Sequence, residues 1–410
     1  MADGWTDTRH RSLINFLVYC PREMVFVKSV DASEIMKSSK NLFKLFDEVV
    51  TWVGSKNIVH MVTDNASNYV SAGKLLCEKY KTISWSPCAA HCLNLVLKDM
   101  GDMPHVDRLK ERASKVTIFI YNHVQLIAWL RNRPGWIEIV RLRATRFAAT
   151  TFLAFGSIHV HKHDLQALVT SKFFVDNRSV RELKAKEAVS IILDNSFWDD
   201  INDIVKISSP LIHLLRIVDS DQRPTIGYVY EDMYGARLGI KKIFQMKKHL
   251  YKPYTSIIKN RWDKHLLKDL HAAAYWLNSA FQYDEENFCR KPAVNIAILD
   301  YIGKKYDGDQ EKVIKEIQYF EDRIGSFDRD LALSTSKTTH PDEWWKLWGV
   351  DVPNLQKLAI RILSQTSASF GYDSSEVEGI DLGTFGQPIG PPPGFSGNDV
   401  HDNFHDIDDL

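Results

Sequence analysis

The chain lacks any run of about 18 apolar residues, so nothing in it reads as a membrane-spanning helix. Its opening stretch, Met-Ala-Asp-Gly-Trp-Thr-Asp-Thr-Arg-His-Arg, has none of the apolar character of a secretory leader. Cysteine is scarce. Five in 410 residues, an odd count, argue against a disulfide framework and for a reducing compartment. Net charge is missing as well, since Lys plus Arg and Asp plus Glu each total 52. Basic residues stop at Arg361, and nine of the acids lie beyond it, leaving 43 acidic against 52 basic side chains in residues 1–361, a net of +9. A mildly basic body therefore carries an acidic tail. What is present suffices for a large core: 44% hydrophobic and 11% aromatic residues exclude global disorder. The length suggests roughly two to three domains.

Residues 13–20 and 24–30 are rich in strand formers and flank the turn signal Pro21-Arg22-Glu23, which predicts a hairpin. Leu42, Leu45, Phe46, Val49, Val50 and Val53 keep helical spacing. Residues 58–63 read as a buried strand, residues 67–79 as a helix and residues 82–85 as a short strand. This order indicates a mixed sheet with helices. From about residue 89 the periodic segments become helical, among them 197–218 and 228–250, and no internal repeat is evident. Pro341 followed by Asp342 and Glu343 suits a helix start. Leu355, Leu358, Ala359, Ile362 and Leu363 form another apolar stripe. Beyond about Ser374 the chain is Gly/Pro-rich and acidic, a composition expected to be disordered.

Four groups of residues could carry chemistry. Asp3 precedes the hairpin and Asp64 ends the buried strand. Paired strands lie about 4.8 Å apart, so pairing of their strands would bring the two carboxylates together. Such a pair suits Mg²⁺, and metal ions can stabilise the attacking and leaving oxygens of a phosphodiester displacement. The alternative is that Asp64 caps the helix after it. Cys88 and His91 have a spacing seen in zinc sites, with Cys92 nearby, but no obvious fourth ligand follows, so structural zinc is not expected. A buried His91 hydrogen-bonding near the acidic pair is the preferred reading. His159, His161 and His163 alternate within an expected helix and so face apart.

Lys241, Lys242, Lys247, Lys248, His249 and Lys252 interleave with Phe244, Tyr251 and Tyr254, and Arg131, Arg133, Arg141, Arg143 and Arg146 form a second basic stretch. Such sets hold phosphates and stack bases, or are simply solvated helix faces. Trp344, Trp345 and Trp348 fill a core or anchor a subunit interface, and composition does not choose.

Taken together, Ala2-Asp3-Gly4-Trp5-Thr6-Asp7, Val62-Thr63-Asp64-Asn65-Ala66-Ser67-Asn68, Pro87-Cys88-Ala89-Ala90-His91-Cys92, Thr145-Arg146-Phe147 and His340-Pro341-Asp342-Glu343-Trp344-Trp345 resemble plant hAT-superfamily transposase-like proteins. Those proteins carry a domain of unknown function in front and a dimerisation region at the end. The resemblance runs from Ala2 to about Ser369. It implies an α/β fold with an RNase H-like mixed sheet (residues 1–88, the first strand cut short). A large all-helical insertion (89–325), a dimerisation region with core helices (326–372) and the acidic tail (373–410) would follow. It also implies an acidic metal triad, with Asp3 and Asp64 as its first two members and, if the protein is active, as Mg²⁺ ligands; an inactive protein is expected to use no cofactor. Cys88 and His91 match the family's Cys-x-x-His, and Arg146-Phe147 matches a motif usually written Arg-Trp. Trp344, Trp345, Trp348, Leu355, Leu358 and Ile362 fall in the dimerisation segment.

The sequence departs from this pattern in three ways. The family's N-terminal zinc-finger module is not seen, and Asp3, close to Met1, is expected to fray. The family's third carboxylate lies in a Gly-Cys-Glu-Arg sequence, where this chain has Gly371-Tyr372-Asp373-Ser374. After Asp373 the resemblance stops. The expectation is a transposase-derived protein that has lost transposition but keeps self-association and contacts DNA through Lys241, Lys242, Lys247, Lys248 and Lys252. A nuclear location follows from the resemblance, with no membrane and no small-molecule substrate. The alternative is a Mg²⁺-dependent transposase or nuclease using Asp3, Asp64 and Asp373.

Overall fold

A computed structural model describes residues 1–6, 9–20, 22–33, 38–142, 148–177, 182–219, 224–284 and 292–369, without the side chains of residues 264 and 265. Among these, one compact unit comprises residues 1–93, 214–234 and 261–369, and a second comprises 94–213 and 235–260. The expected acidic tail lies outside the described residues.

The first unit holds a five-stranded mixed sheet, β1 (Ala2–Thr6), β2 (Ser12–Cys20), β3 (Glu23–Asp31), β4 (His60–Thr63) and β5 (Ser84–Pro87), in the order β3-β2-β1-β4-β5. The expected hairpin is β2–β3, antiparallel and closed at Cys20↔Glu23. β1 runs antiparallel to β2, with Asp3 opposite Asn15, and parallel to β4, with Ala2 opposite Thr63. β5 runs parallel to β4. This is the RNase H-like mixed sheet that the sequence leads one to expect, followed by a large helical region. Asp3 lies within β1, which is flanked on both sides, and the Leu17 N–H donates to the Met1 carbonyl at 3.1 Å.

Two helices cover this sheet, α1 (Ser39–Val53) and α2 (Ser67–Lys79). Leu42, Phe46, Val49 and Val50 of α1 recur every three or four residues and are buried with Tyr69, Ala72 and Leu76 of α2 and with Ile14 and Phe16 of β2. α1 stops at Gly54, whose φ of 88° suits glycine and whose N–H closes on the Val50 carbonyl. A β-carbon at Gly73 would lie 2.5 Å from the Trp85 indole, so only glycine lets α2 approach β5 this closely.

A second cluster in the same unit gathers helices Asp269–Trp276, Pro292–Lys305, Gln310–Glu321, Pro341–Trp348 and Pro353–Leu363. Helix 341–348 begins as expected, with Pro341 in its first turn beside Asp342 and Glu343. Helix 353–363 is held at its N-terminus by Glu316, whose carboxylate accepts from the Asn354 and Leu355 N–H groups at 2.8 and 2.7 Å. A carboxylate there meets the positive end of the helix dipole.

The second unit is helical. The sequence suggests one helix over 228–250, but helix Ile226–Ile243 ends and Lys248–Arg261 begins anew. Between them Gln245 and Met246 take φ of 50° and 59°, which interrupts the helix. The expected helix across His159–His163 is likewise divided, into Ala149–Val160 and Lys162–Thr170, with His161 at the junction. Among the described residues no helix is long and apolar enough to cross a membrane.

Candidate functional site

The pairing of β1 with β4 sets the geometry around the two aspartates. Ala2 is opposite Thr63, so the next residue on each chain, Asp3 and Asp64, leaves the ladder side by side. Both are half-buried. The residue at the capping position of α2 is Ala66, whose side chain makes no capping bond. The Gly4 N–H donates to Asp64 Oδ2 at 3.2 Å, which links Asp64 to β1.

Tyr69, five residues after Asp64 and on α2, belongs to none of the candidate groups in the sequence. It is fully buried, and its hydroxyl has no hydrogen-bond partner among the described residues. A β-carbon on Gly4 would meet Tyr69 Oη at 2.6 Å and Asp64 Oδ2 at 2.8 Å, so both oxygens crowd the same point of β1. Burial, and then the charges of Asp64 and Asp3, push the phenol well above its ordinary range, so it stays protonated. Asn65 also has a buried side-chain oxygen without a partner among the described residues. The signal for Tyr69 is faint in sequence: an aromatic one turn into the helix that follows an acidic strand end.

Asp373, Arg146 and Phe147 lie outside the described residues. Thr366, Ser367, Ala368 and Ser369 are buried. Ser367 accepts from Ala89 N–H through its carbonyl at 2.9 Å, and its own N–H donates to Thr225 Oγ1 at 3.1 Å. Ser369 N–H donates to Cys88 Sγ at 3.4 Å. Cys88 N–H in turn donates to the Thr63 carbonyl at 2.7 Å, one residue from Asp64.

Cys88 sits at the start of helix α3 (Ala89–Gly101), where its sulfur also receives the His91 N–H. Burial pushes its thiol up, so it is no nucleophile at neutral pH. His91 is half-buried rather than buried. Among the described residues the buried histidines of this unit are His60 and His271, which stand in no motif of the sequence. Among the described residues no three His, Cys, Asp or Glu side chains come together as a metal cage. Magnesium sites commonly use only one or two carboxylates, keep waters and take the rest from substrate phosphate, so this does not conflict with an Asp3–Asp64 site.

The other candidates lie elsewhere. Lys242, Lys247, Lys248 and Lys252 are exposed around the turn at 244–247, while Lys241 is half-buried with its ammonium 5.7 Å from the centre of the Tyr251 ring. The interleaved aromatics are largely used in packing: Tyr251 and Tyr254 are buried, and Phe244 stacks on Tyr254 at 5.7 Å. A cleft of about 390 Å³ beside them includes Asp200 and Asp203 among mostly apolar walls, so it would repel phosphate. In the other basic stretch Arg131 pairs with Glu138, Arg133 pairs with Asp164, and Arg141 covers the Tyr121 ring. Arg143 falls outside the described residues. His161 is buried against Trp136, ring centres 4.1 Å apart.

Trp344 and Trp345 are fully buried in this chain, as are Leu355, Leu358 and Ile362, and Trp348 packs against the same cluster. Trp344 stacks on Phe327 at 5.7 Å, and its indole N–H reaches the Ala332 carbonyl at 2.9 Å. Trp345 donates to the Leu277 carbonyl at 2.8 Å. Their aromatic density fills the chain's own core.

Residues 1–116 match a family model described as a domain of unknown function (DUF659), a domain found in hAT-type transposase-like proteins. The match covers the whole sheet, α1 to α3 and the Asp3–Asp64–Tyr69 region. A comparison with curated proteins finds no match.

Proposed function

We propose that this chain is a protein of the hAT superfamily derived from a transposase, retaining a cation-binding pair of carboxylates but no longer transposing DNA. It acts through contacts with DNA in the nucleus and through self-association, the latter by surface other than Trp344, Trp345, Leu355, Leu358 and Ile362, which are buried in the chain's own core. The observation that carries this reading is the placement of Asp3 and Asp64 at the parallel β1–β4 junction, within the stretch matched by the transposase-associated domain. The residues fit a hydrated divalent cation: two half-buried carboxylates stand beside a buried hydroxyl that no described residue satisfies. Mg²⁺ there would be held by Asp3 and Asp64 and would supply Lewis-acid polarisation of a phosphodiester oxygen. The Gly4 N–H holds the Asp64 carboxylate in place from behind.

Loss of activity is argued from the third position. Asp373 stands where the resembling proteins have Glu, and its side chain is one methylene shorter. A misplacement near 1 Å costs about 100-fold in rate. The lysines at 242, 247, 248 and 252 offer phosphate contacts without base readout. Incubation of labelled DNA with purified protein and Mg²⁺ or Mn²⁺ tests the proposal, and the expected result is no nicking. Nicking that disappears in Asp64→Asn would replace this reading by a second one, a Mg²⁺-dependent nuclease. That second reading is favoured by one observation: the Gly4 N–H of β1 donates to the Asp64 carboxylate.

A further inference from the structure

Tyr69 is buried at this junction, yet the described residues leave its polar atom unused. The ring is buried with Ile14 and Phe16 of β2 and with Phe46 of α1, whose ring centre is 6.2 Å away. An unsatisfied buried hydroxyl costs about 1–3 kcal/mol, and phenylalanine would fill the same space without that cost. The oxygen ends beside Asp64 Oδ2, since both would touch a single β-carbon on Gly4. The hydroxyl and the Asp64 carboxylate oxygen crowd the backbone of Gly4, next in the chain to Asp3, and the hydroxyl oxygen is unused.

We propose that Tyr69 is a positioning residue for a divalent cation, its hydroxyl oxygen accepting a hydrogen bond from water carried by an ion on Asp3 and Asp64. The inference rests on the reading of Asp3 and Asp64 as a cation site and adds a role for Tyr69. Ligation falls to the two carboxylates, since Mg²⁺ sites commonly use only one or two carboxylates and keep water in other positions. Water on Mg²⁺ is a strong donor, and such ions shed their water reluctantly. Groups that orient a metal's ligands from behind typically contribute 10–100-fold in metal affinity. Asn65, with its own unused buried oxygen, stands next in the chain to Asp64.

The test is Mn²⁺ binding by the intact protein, followed by the loss of the free-ion electron paramagnetic resonance signal and by water-proton relaxation of the bound ion. Wild type, Asp64→Asn and Tyr69→Phe are compared, each checked by thermal melting. Wild type is expected to bind and Asp64→Asn to lose binding. Tyr69→Phe should melt no lower than wild type, bind about tenfold more weakly and alter the relaxation of the bound ion. Unchanged affinity and relaxation in Tyr69→Phe would reduce Tyr69 to a core residue while leaving the carboxylate site standing. Absence of binding by wild type, or equal binding by Asp64→Asn, would remove the cation site itself and this inference with it.

Discussion

The Gly4 N–H donates to Asp64 Oδ2 at 3.2 Å, tying the first strand of the sheet to the residue that follows the fourth. The bond needs Gly4 for steric reasons. A β-carbon there would lie 2.6 Å from Tyr69 Oη and 2.8 Å from Asp64 Oδ2, closer than real contacts allow. Gly4→Ala is therefore expected to push the aspartate and the phenol apart. Overpacking of this kind typically costs about 1–3 kcal/mol. Urea denaturation should show a lower midpoint, and Mn²⁺ binding should weaken together with it. A variant with wild-type stability and affinity would mean that the two oxygens move aside freely.

The fold of the first 90 residues is legible in the sequence because its signals are local. Strand-forming runs around a turn mark β2 and β3, the stripe from Leu42 to Val53 marks α1, and Asp64 marks the end of β4. The break after helix 226–243 is hidden, since Gln245 and Met246 give no warning of their positive φ. Which later segments pack into the same unit as the sheet is hidden too. That depends on contacts such as Lys305 Nζ to the Ile83 carbonyl and Thr225 to Ser367, made between residues far apart in sequence. At the candidate site the two carboxylates are readable as residue types with a plausible pairing. Tyr69 is not, because an orphaned hydroxyl is a property of packing. The tryptophans show the same limit: their number is plain, but their seat in the chain's own core emerges only from the folded structure.

Trp345 is expected to act first on stability. Its indole packs against Phe320 at 4.6 Å and donates to the Leu277 carbonyl at 2.8 Å, with no exposed surface. Trp345→Ala removes both and leaves a cavity, a change that typically costs about 3–5 kcal/mol. Chemical denaturation measures it. Loss of self-association in this variant would be informative only if circular dichroism shows the fold intact. A cost under about 1 kcal/mol would mean that the cluster repacks around the gap.

The exposed lysines predict electrostatic DNA binding. Lys247 and Lys248 are solvent-facing at the turn between two helices, so Lys247→Glu with Lys248→Glu should leave the melting temperature nearly unchanged. Affinity for duplex DNA should fall across all sequences alike. The slope of log affinity against log salt should lessen by about 0.9 for each phosphate that is no longer neutralised. Gel-shift titrations at several salt concentrations provide both numbers. No shift by the wild type at low salt would discard DNA binding altogether.

His60 and His271 predict acid lability. Both are buried, their rings 6.2 Å apart and nearly perpendicular. His60 shares a hydrogen bond with Ser86 Oγ at 2.8 Å, while neither ring nitrogen of His271 has a partner among the described residues. Burial above all lowers each pKa from 6.5 to about 3. The nearby His271 ring adds to the effect at His60, and Lys268 adds to it at His271. Above pH 6.5 both rings are neutral whether the chain is folded or not, so they leave stability independent of pH. Below it the unfolded chain takes up protons that the folded chain refuses, and stability falls by about 1.4 kcal/mol per pH unit for each ring until pH nears 3. Asp232 opposes this. Burial and then Glu231 raise its carboxyl from 3.8 to about 7, so in that window the folded state holds the extra proton and gains stability as pH falls. The histidine contribution must therefore be read as a difference. His271→Phe removes one of the two titrating rings and its unsatisfied nitrogens. Urea denaturation of wild type and variant from pH 4 to 6.5 should yield stabilities that diverge towards acid, with the variant ahead by about 1.4 kcal/mol more for each unit below pH 6. Parallel curves would mean that His271 is protonated as readily in the folded chain as in the unfolded one.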